Sequence, residues 1–510
     1  MALCDCLCFN TVAVFIGIAT LLYFYIKKSY QYWSNKNIPY IDPRLLLGNF
    51  PNPLTTKRHI GLIIKDYYDD MKQKGHRHFG MYFWLRPIYT PIALDEVKNI
   101  LTKDFQHFVD RGTFYNERDD PLSAHLFAIG GVKWRNLRMK LTPTFTSGKM
   151  RGMFQTLVHS GVFMEKAMDK LHEEKQAVDI KEILGCFTTD IIGSCAFGLE
   201  CNSFTEPDSP FRRYGKKIFQ STLWRRIVVS LGINFPKFGK LVGLKFVEKD
   251  VSDFFMKIVR DAIAYRTKNN IVRKDFLQLL IELMKKDDDG NYAHDGKSLT
   301  FEEVAAQSFV FFIAGFETSS TTMTFALFEL AQNQDIQEKV RSEVNEVLKR
   351  YNGEITYDAI NDMKYMSQVI DETLRKYPPL AFITRQCVKD YKIPGEDTIL
   401  ETGTRVFIPI LGIHYDKEHY REPEKFDPER FSEENSQKRH QYAHIPFGEG
   451  PRMCIGMRFG IMQSKVGLTV LLKNYRFTLN TKTQLPLELN NKSFILAAKG
   501  DIWLNIEKIK

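Results

Sequence analysis

After residue 90 apolar positions recur at three- and four-residue intervals through most of the chain, with polar residues between them, the pattern of amphipathic helices around a core. Strand-like stretches gather elsewhere, at FGMYFWL (79–85), at TRVFIPIL (404–411) and at the C-terminus. The expected fold is mainly α with small β-sheets, and no internal repeat is visible. The polar, glycine-containing KKDDDGNYAHDGKS (285–298) reads as a solvated connection. Its aspartates lack the glycine and closing glutamate that a calcium loop needs in register. Beyond it, residues 300–332 run without proline, and Thr300 with Glu303 forms a capping box, so one long helix should cross the core. Its middle breaks the pattern. Gly315 costs about 1 kcal/mol relative to alanine in a helix interior, and Glu317 and Thr318 add polarity to an apolar run. Such departures mark either a functional site or a small-residue crossing of two helices.

The N-terminal pattern is different. LCFNTVAVFIGIATLLYFYI (7–26) has twenty residues without a charge, about 30 Å as a helix, enough to cross a bilayer core. Lys27 and Lys28 follow and Asp5 precedes, which by the positive-inside rule places the rest of the chain in the cytosol. There is no basic leading region and no small-residue cleavage site, which disfavours a removed signal peptide. Residues 1–28 are therefore expected to be an N-terminal transmembrane signal anchor. Residues 29–50, including NIPYIDPRLLLGNF (37–50), should be a Pro-containing linker, and 51–510 the working domain.

Composition adds limits. With 510 residues and 44% hydrophobic content the chain can bury a large core, and its chemistry-bearing stretches, far apart in sequence, are best served by one site in one domain. A formal charge of +10 suits an anionic membrane surface or an acidic protein partner, and solvated lysines account for it equally well. No dense Lys/Arg tract points to nucleic acid. Eight cysteines without even spacing argue against a disulfide framework and for a reducing compartment. Cys4, Cys6 and Cys8 lack the second ligand pair of a zinc site.

One cysteine has an unusual setting. In PFGEGPRMCIGMRFG (446–460), Cys454 stands ahead of an apolar helix-like run, where free amides and the helix dipole favour thiolate over thiol. A glycine-rich loop can wrap closely round a flat ligand, and Arg452 offers a cation for acid groups. These are the needs of a heme iron held by a cysteine thiolate. In KWRNLRMK (133–140), Trp134 and Arg138 share a helical face. In DETLRKYPP (371–379), Glu372 and Arg375 lie one turn apart. The same Glu-x-x-Arg spacing occurs at 338/341, 418/421 and 449/452, and what distinguishes Glu372 is the helix stop at Pro378 and Pro379 with FDPERF (426–431) downstream.

FGEGPRMCIG (447–456) resembles the heme-binding loop of the cytochrome P-450 family, Phe-x-x-Gly-x-Arg-x-Cys-x-Gly, with every fixed position present from Phe447 to Gly456. AGFETS (314–319) is similar to the family's oxygen-activation segment. The resemblance implies a cytochrome P-450 fold behind a single anchor helix, and a cofactor, heme b (iron protoporphyrin IX), with Cys454 as axial thiolate. It implies propionate contacts from Trp134, Arg138, Arg452 and Arg385, the last in FITRQC (382–387), with Phe447 and Gly456 completing the loop. Gly315 would leave room for dioxygen, Glu317 and Thr318 would organise proton delivery, and Glu372, Arg375 and Arg430 would form a buried structural triad. Pocket positions implied in the same way are Phe108, Phe114 and Tyr115, then Phe309 and Ala314, then Leu380, Ala381, Phe382 and Phe494.

FQHFVDRG (105–112) and the linker look most like insect microsomal members that metabolise xenobiotics, although the linker departs from the commoner Pro-Pro-Gly-Pro hinge. The implied reaction inserts one oxygen atom of O2 into an apolar small molecule. With no dinucleotide fingerprint in the chain, electrons should come from NADPH through a separate NADPH–cytochrome P-450 reductase, with cytochrome b5 assisting. The implied location is the endoplasmic reticulum membrane, single-pass, with the catalytic domain on the cytosolic face. FPKFGKLVGLKF (235–246) could also touch the membrane interface. Two rival readings are an isomerase or dehydratase of the same fold, needing no external electrons, and a heme carrier or sensor without turnover. NADPH consumption coupled to product separates them.

Overall fold

The capping box at Thr300 forms: its hydroxyl accepts the Glu303 amide at 3.2 Å, and the Glu303 carboxylate accepts the Thr300 amide at 3.0 Å. The chain is described here as a computed structural model covering residues 2–52, 55, 57–206, 208–219, 222–284 and 298–509, with the side chains of 2–12 and 223 outside the description. The connection expected at 285–298 therefore lies, except for Ser298, outside the described residues, as do the side chains of Cys4, Cys6 and Cys8.

The elements that position the site are few. Helix α1 is Ala2–Ser29, α2 is Gly131–Leu141, α3 is Ile180–Phe197, α4 is Phe301–Gln332, α5 is Lys364–Lys376 and α6 is Met457–Asn474. The strands used here are β1 (His78–Phe83), β2 (Arg86–Pro91), β3 (Val178–Asp179), β4 (Ile383–Gln386), β5 (Arg405–Ile408), β6 (Tyr475–Leu479) and β7 (Trp503–Lys508). One sheet has the order β1-β2-β5-β4, with β2 and β5 parallel and the other pairs antiparallel. A second has the order β3-β7-β6. The fold is thus mainly helical with small sheets, as the periodicity predicts.

Helix α4 is buried along most of its length, against α3 on one side and α6 on another. Its hydroxyl side chains are accommodated by bonding back one turn. Thr318 donates to the Ala314 carbonyl, Ser320 to Phe316 at 3.0 Å, Thr322 to Thr318 at 2.8 Å and Thr324 to Ser320 at 2.7 Å. A Cβ on Gly315 would stand 2.3 Å from Ile192 Cδ1 on α3. Glycine there lets the two helices approach, so the small-residue crossing is realised at this position. Helix α3 is capped by Asp179, whose carboxylate accepts the Lys181 amide at 3.1 Å, and it ends at Gly198 with φ +71°.

Two apolar clusters result, a larger one around α3, α4 and α6 and a smaller one on the first sheet. The segment expected to be a linker contributes to the second. Trp33 is fully buried and lies where Gly80 lacks a side chain, with its Nε1 donating to the Met81 carbonyl at 3.0 Å. Asn49 and Tyr82 exchange bonds, Asn49 N to Tyr82 O at 2.8 Å and Tyr82 N to Asn49 Oδ1 at 2.7 Å. Residues 33–50 therefore pack along β1 as an edge of the domain. The buried Trp33 and Ile38 together hold this Pro-containing segment on the strand edge.

On α1 the side chains of residues 13–25 are mostly apolar and exposed, among them Phe15, Ile18, Leu21 and Phe24. Among the described residues no helix is long and apolar enough to cross a membrane. The first part of the expected span, 7–12, is outside the described side chains.

Candidate functional site

Cys454 sits two residues before Gly456, the N-cap residue of α6. The loop holding it is a tight structure of its own: the Gly448 amide donates to Ile445, Met453 to Gly450 at 3.0 Å, and the Cys454 amide to the Phe447 carbonyl at 2.9 Å. Phe447 is partly buried against the larger cluster. Gly450 is required twice over, by φ +73° and because a Cβ would lie 2.0 Å from the Leu101 carbonyl oxygen. Gly456 is different, since its φ is −91° and a Cβ would meet only Phe145 at 3.8 Å. Its contribution is the amide, which acts to lower the pKa of the Cys454 thiol. The cysteine is exposed by area, yet burial is the main force raising its pKa, with the Gly456 amide, Arg111 and Arg138 acting the other way. The sulfur therefore faces space inside the molecule, within reach of positive charge.

That positive charge is a cluster of arginines drawn from four separate pieces of chain. Arg452 is buried over the Trp134 ring at 4.1 Å, and donates to the carbonyls of Val109 and Ile129, each at 2.8 Å, and of Leu126 at 3.4 Å. It thereby pins the cysteine loop to residues 109–134. Arg138 donates to the Met453 carbonyl at 3.0 Å. Arg111 donates to the Arg452 carbonyl at 3.0 Å and covers the Phe127 ring at 4.1 Å. Arg385, on β4, is fully buried, and only its Nη1 has a partner, the Thr384 carbonyl at 2.8 Å. Its Nε and Nη2, the Nε of Arg111 and the Nδ1 of His125 have none. Burial and the mutual repulsion of these cations push Arg452 down to about 9 and Arg111 to about 10, and hold Arg385 well below its usual range. The nearest carboxylate is Asp110, 3.8 Å from Arg452 and itself bonded to the Gly131 amide at the start of α2.

Buried cations with unmet donors are costly unless an anion joins them. Beside a cysteine facing the same interior, the arrangement fits a flat cofactor with two carboxylates and a metal that takes sulfur. Sequence reading named Arg138, Arg385, Arg452 and Trp134, and the structure brings them together. It missed Arg111 and His125, for which the only signal was an arginine inside the motif-like FVDRG.

The long helix reaches the same region. Gln463 on α6 donates to the Gly315 carbonyl at 3.4 Å, and a Cβ on Gly460 would meet the Ser319 hydroxyl at 3.7 Å. These contacts hold the 314–318 turn beside the start of α6, and hence near Cys454. Ala314 is exposed there between half-buried neighbours. Burial raises the pKa of Glu317, opposed by the charges of Lys181 and Arg212.

Glu372 and Arg375 on α5 are both fully buried and paired through two bonds of 2.6 and 2.9 Å. Arg430 stands 3.5 Å from Glu372, and the Asp427 amide donates to that carboxylate at 2.9 Å. His414 accepts the Ile445 amide at 3.1 Å and bonds the Arg375 carbonyl at 3.1 Å, which makes it a structural histidine supporting the cysteine loop.

The pocket positions divide. Leu380, Phe382 and Phe494 line an apolar cavity of about 150 Å³, and Phe114 lines a larger one of about 420 Å³. Neither cavity includes Cys454 in its wall. Phe108 is buried against Tyr391 at 4.8 Å, Phe309 against Phe255 at 5.1 Å, and Ala381 against Gly61, and none of the three lines either cavity. Tyr115 lies under the Lys240 ammonium at 4.4 Å.

With this geometry in place, the comparisons identify the class. The family model for "Cytochrome P450" matches residues 41–505, and the chain belongs to that family: it is a monooxygenase, and family members bind heme through an axial cysteine thiolate. It is 46% identical over 494 residues, 96% of this chain and 98% of the relative, to "Probable cytochrome P450 6a23" of Drosophila melanogaster. It is 43% identical over 498 residues, 97% of each chain, to "Cytochrome P450 6A1" of Musca domestica. Family membership implies a redox partner and a small-molecule substrate.

Proposed function

We propose that this enzyme oxygenates apolar small molecules, xenobiotics such as insecticides or endogenous hormones, with electrons from NADPH delivered by a separate reductase and cytochrome b5 as an accessory donor. The observation that carries this reading is the internal-facing Cys454 beside buried arginines with unmet donors. Cys454 would hold the heme iron, and Arg385, Arg111, Arg138 and Arg452 with Trp134 would receive the propionates. The bound heme supplies the iron at which dioxygen is activated.

The remaining work falls to side chains. Phe447 and the glycine loop shape the sulfur side, and the Gly456 amide supports the thiolate. Gly315 sets the approach of α4 to α3. Glu317, kept proton-bearing to higher pH by burial, and Thr318, whose hydroxyl bonds Ala314, would hold and pass protons at the 314–318 turn. Residues 51–510 with the packed 33–50 edge form the catalytic domain, and 1–28 anchor it to the endoplasmic reticulum membrane, facing the cytosol. The exposed apolar side chains of α1, and Phe235, Phe238 and Leu241 elsewhere, support a lipid contact. The test is reconstitution in reductase-containing membranes with a substrate screen by mass spectrometry; NADPH oxidation that yields no oxygenated product from any apolar compound would refute the reading.

Two consequences are measurable. Removal of residues 1–28 is expected to release most of the protein from membranes in alkaline carbonate, and unchanged retention would refute the single anchor. Thr318→Ala is expected to keep heme content while moving electrons from product toward peroxide and water, by up to the 10²–10⁴-fold range typical of lost acid–base catalysis. Product, peroxide and NADPH measured together check it. An unchanged product-to-NADPH ratio would leave Thr318 a packing residue.

A further inference from the structure

His125 brings an enclosed ring nitrogen to the arginine cluster, and the protein gives it no partner: Nδ1 is buried and unbonded. The backbone group that reaches the ring is its own carbonyl. That oxygen already accepts the amides of Ala128 at 2.9 Å and Ile129 at 3.1 Å, which uses both of its lone pairs. Buried polar atoms are ordinarily bonded, as His414 is here through both ring nitrogens. An enclosed imidazole nitrogen left without a partner therefore marks a position that a group outside the chain completes.

The turn that carries the ring is fixed from several sides. The Leu126 amide donates to Gln307 Oε1 on α4 at 2.9 Å, and the Thr113 hydroxyl donates to the Ala128 carbonyl at 3.1 Å. Arg452 bonds the carbonyls of Leu126 and Ile129. Residues 125–129 thus lie between the long helix and the cysteine loop. Phe127 in the same turn sits under the Arg111 guanidinium, and the Arg111 charge reaches the His125 ring. The Nε of Arg111 is also buried without a partner. Two unmet nitrogens, one on a cation and one not, therefore belong to neighbouring side chains. His125 is the uncharged one, because burial and the Arg111 charge push it down to about 4. A neutral imidazole still carries one N–H. The four arginines already outnumber the two carboxylates of a heme and repel one another, which favours an added donor that brings no further charge.

We infer that His125 is a further cofactor-positioning residue, which in its neutral form donates a ring N–H to the heme propionate that Arg111 meets. The assignment rests on the heme reading above. It has two effects that can be measured apart. A hydrogen bond to the carboxylate slows loss of the cofactor. It also draws negative charge away from the iron, and less negative charge there leaves the ferric form less favoured, so that the iron takes an electron more readily.

The test follows heme transfer from the full-length holoenzyme to excess apomyoglobin, with the ferric–ferrous reduction potential measured on the same preparations. His125→Leu removes the donor and keeps an apolar body. It is expected to lose heme about tenfold faster, and to favour the ferric form about threefold, a potential lower by about 30 mV. His125→Gln keeps an N–H donor and should recover most of both effects. His125→Ala takes the place of His125→Leu if the leucine variant does not fold. An unchanged loss rate and potential in the Leu or Ala variant, as for a nitrogen that meets only a buried water, would overturn the assignment. Loss from His125→Gln as fast as from His125→Leu would make His125 a packing residue and overturn it equally. A wild type that takes up no heme would overturn the heme reading itself, and the assignment with it.

Discussion

Cys454→Ser is expected to abolish the red-shifted carbon monoxide band of the ferrous enzyme completely. The band reports thiolate ligation, and a serine hydroxyl does not ionise near neutral pH. The loop should survive the change, because it is held by backbone bonds and by the Arg452 contacts to Val109 and Ile129, none of which involves the sulfur. The arginine cluster is also untouched, so some heme should still enter and be countable as a pyridine complex. No other described cysteine can take over. Cys186 and Cys387 are buried thiols pushed up to about 11, and burial raises Cys195 and Cys201 further. Persistence of the band in the variant would place the ligand elsewhere.

What the sequence made legible depended on how local the cause was. The capping box at Thr300 and Glu303, and the cysteine loop, are written in consecutive residues and their hydrogen bonds close within a few positions. The arginine cluster is assembled from residues 111, 138, 385 and 452, and the family motif named three of them. The unmet donors of Arg385 and the presence of Arg111 and His125 are properties of the assembled fold, which periodicity does not report. Glycine illustrates the same limit. Gly450 and Gly456 look alike in the motif, yet one is required by positive φ and a carbonyl 2.0 Å away, and the other serves through its amide. Gly315 read first as a place for a ligand and second as a helix crossing, and the side chain of Ile192 on α3 shows the packing requirement. Phe108 and Phe309 pack on neighbouring rings and line neither cavity, and an aromatic residue near a site is ordinarily core unless a cavity reaches it.

Glu372→Ala is expected to destabilise the domain by about 3–5 kcal/mol, the cost of leaving one member of a buried ion pair without its partner. Against a total stability of roughly 5–15 kcal/mol for a folded protein, much of the chain should fail to accumulate in native form. Arg375 is fully buried, and its remaining bonds, to the carbonyls of His414 at 3.0 Å and Pro423 at 2.8 Å, supply no charge. The loss should spread. The Glu372 carboxylate also receives the Asp427 amide, and the residue bonded to Arg375, His414, carries the Ile445 amide at the entrance to the cysteine loop. Heme content should therefore fall together with the melting temperature. Glu338→Ala is the matched control, because Glu338 and Arg341 have the same spacing. Glu338 is exposed, and Arg341 keeps bonds to Gln337, Leu472 and Tyr475 without it, so that change should cost no more than about 1 kcal/mol. Thermal unfolding of both variants, with heme measured on the same samples, decides the matter: equal effects of the two substitutions would show that the spacing alone, and not burial, sets the role of Glu372.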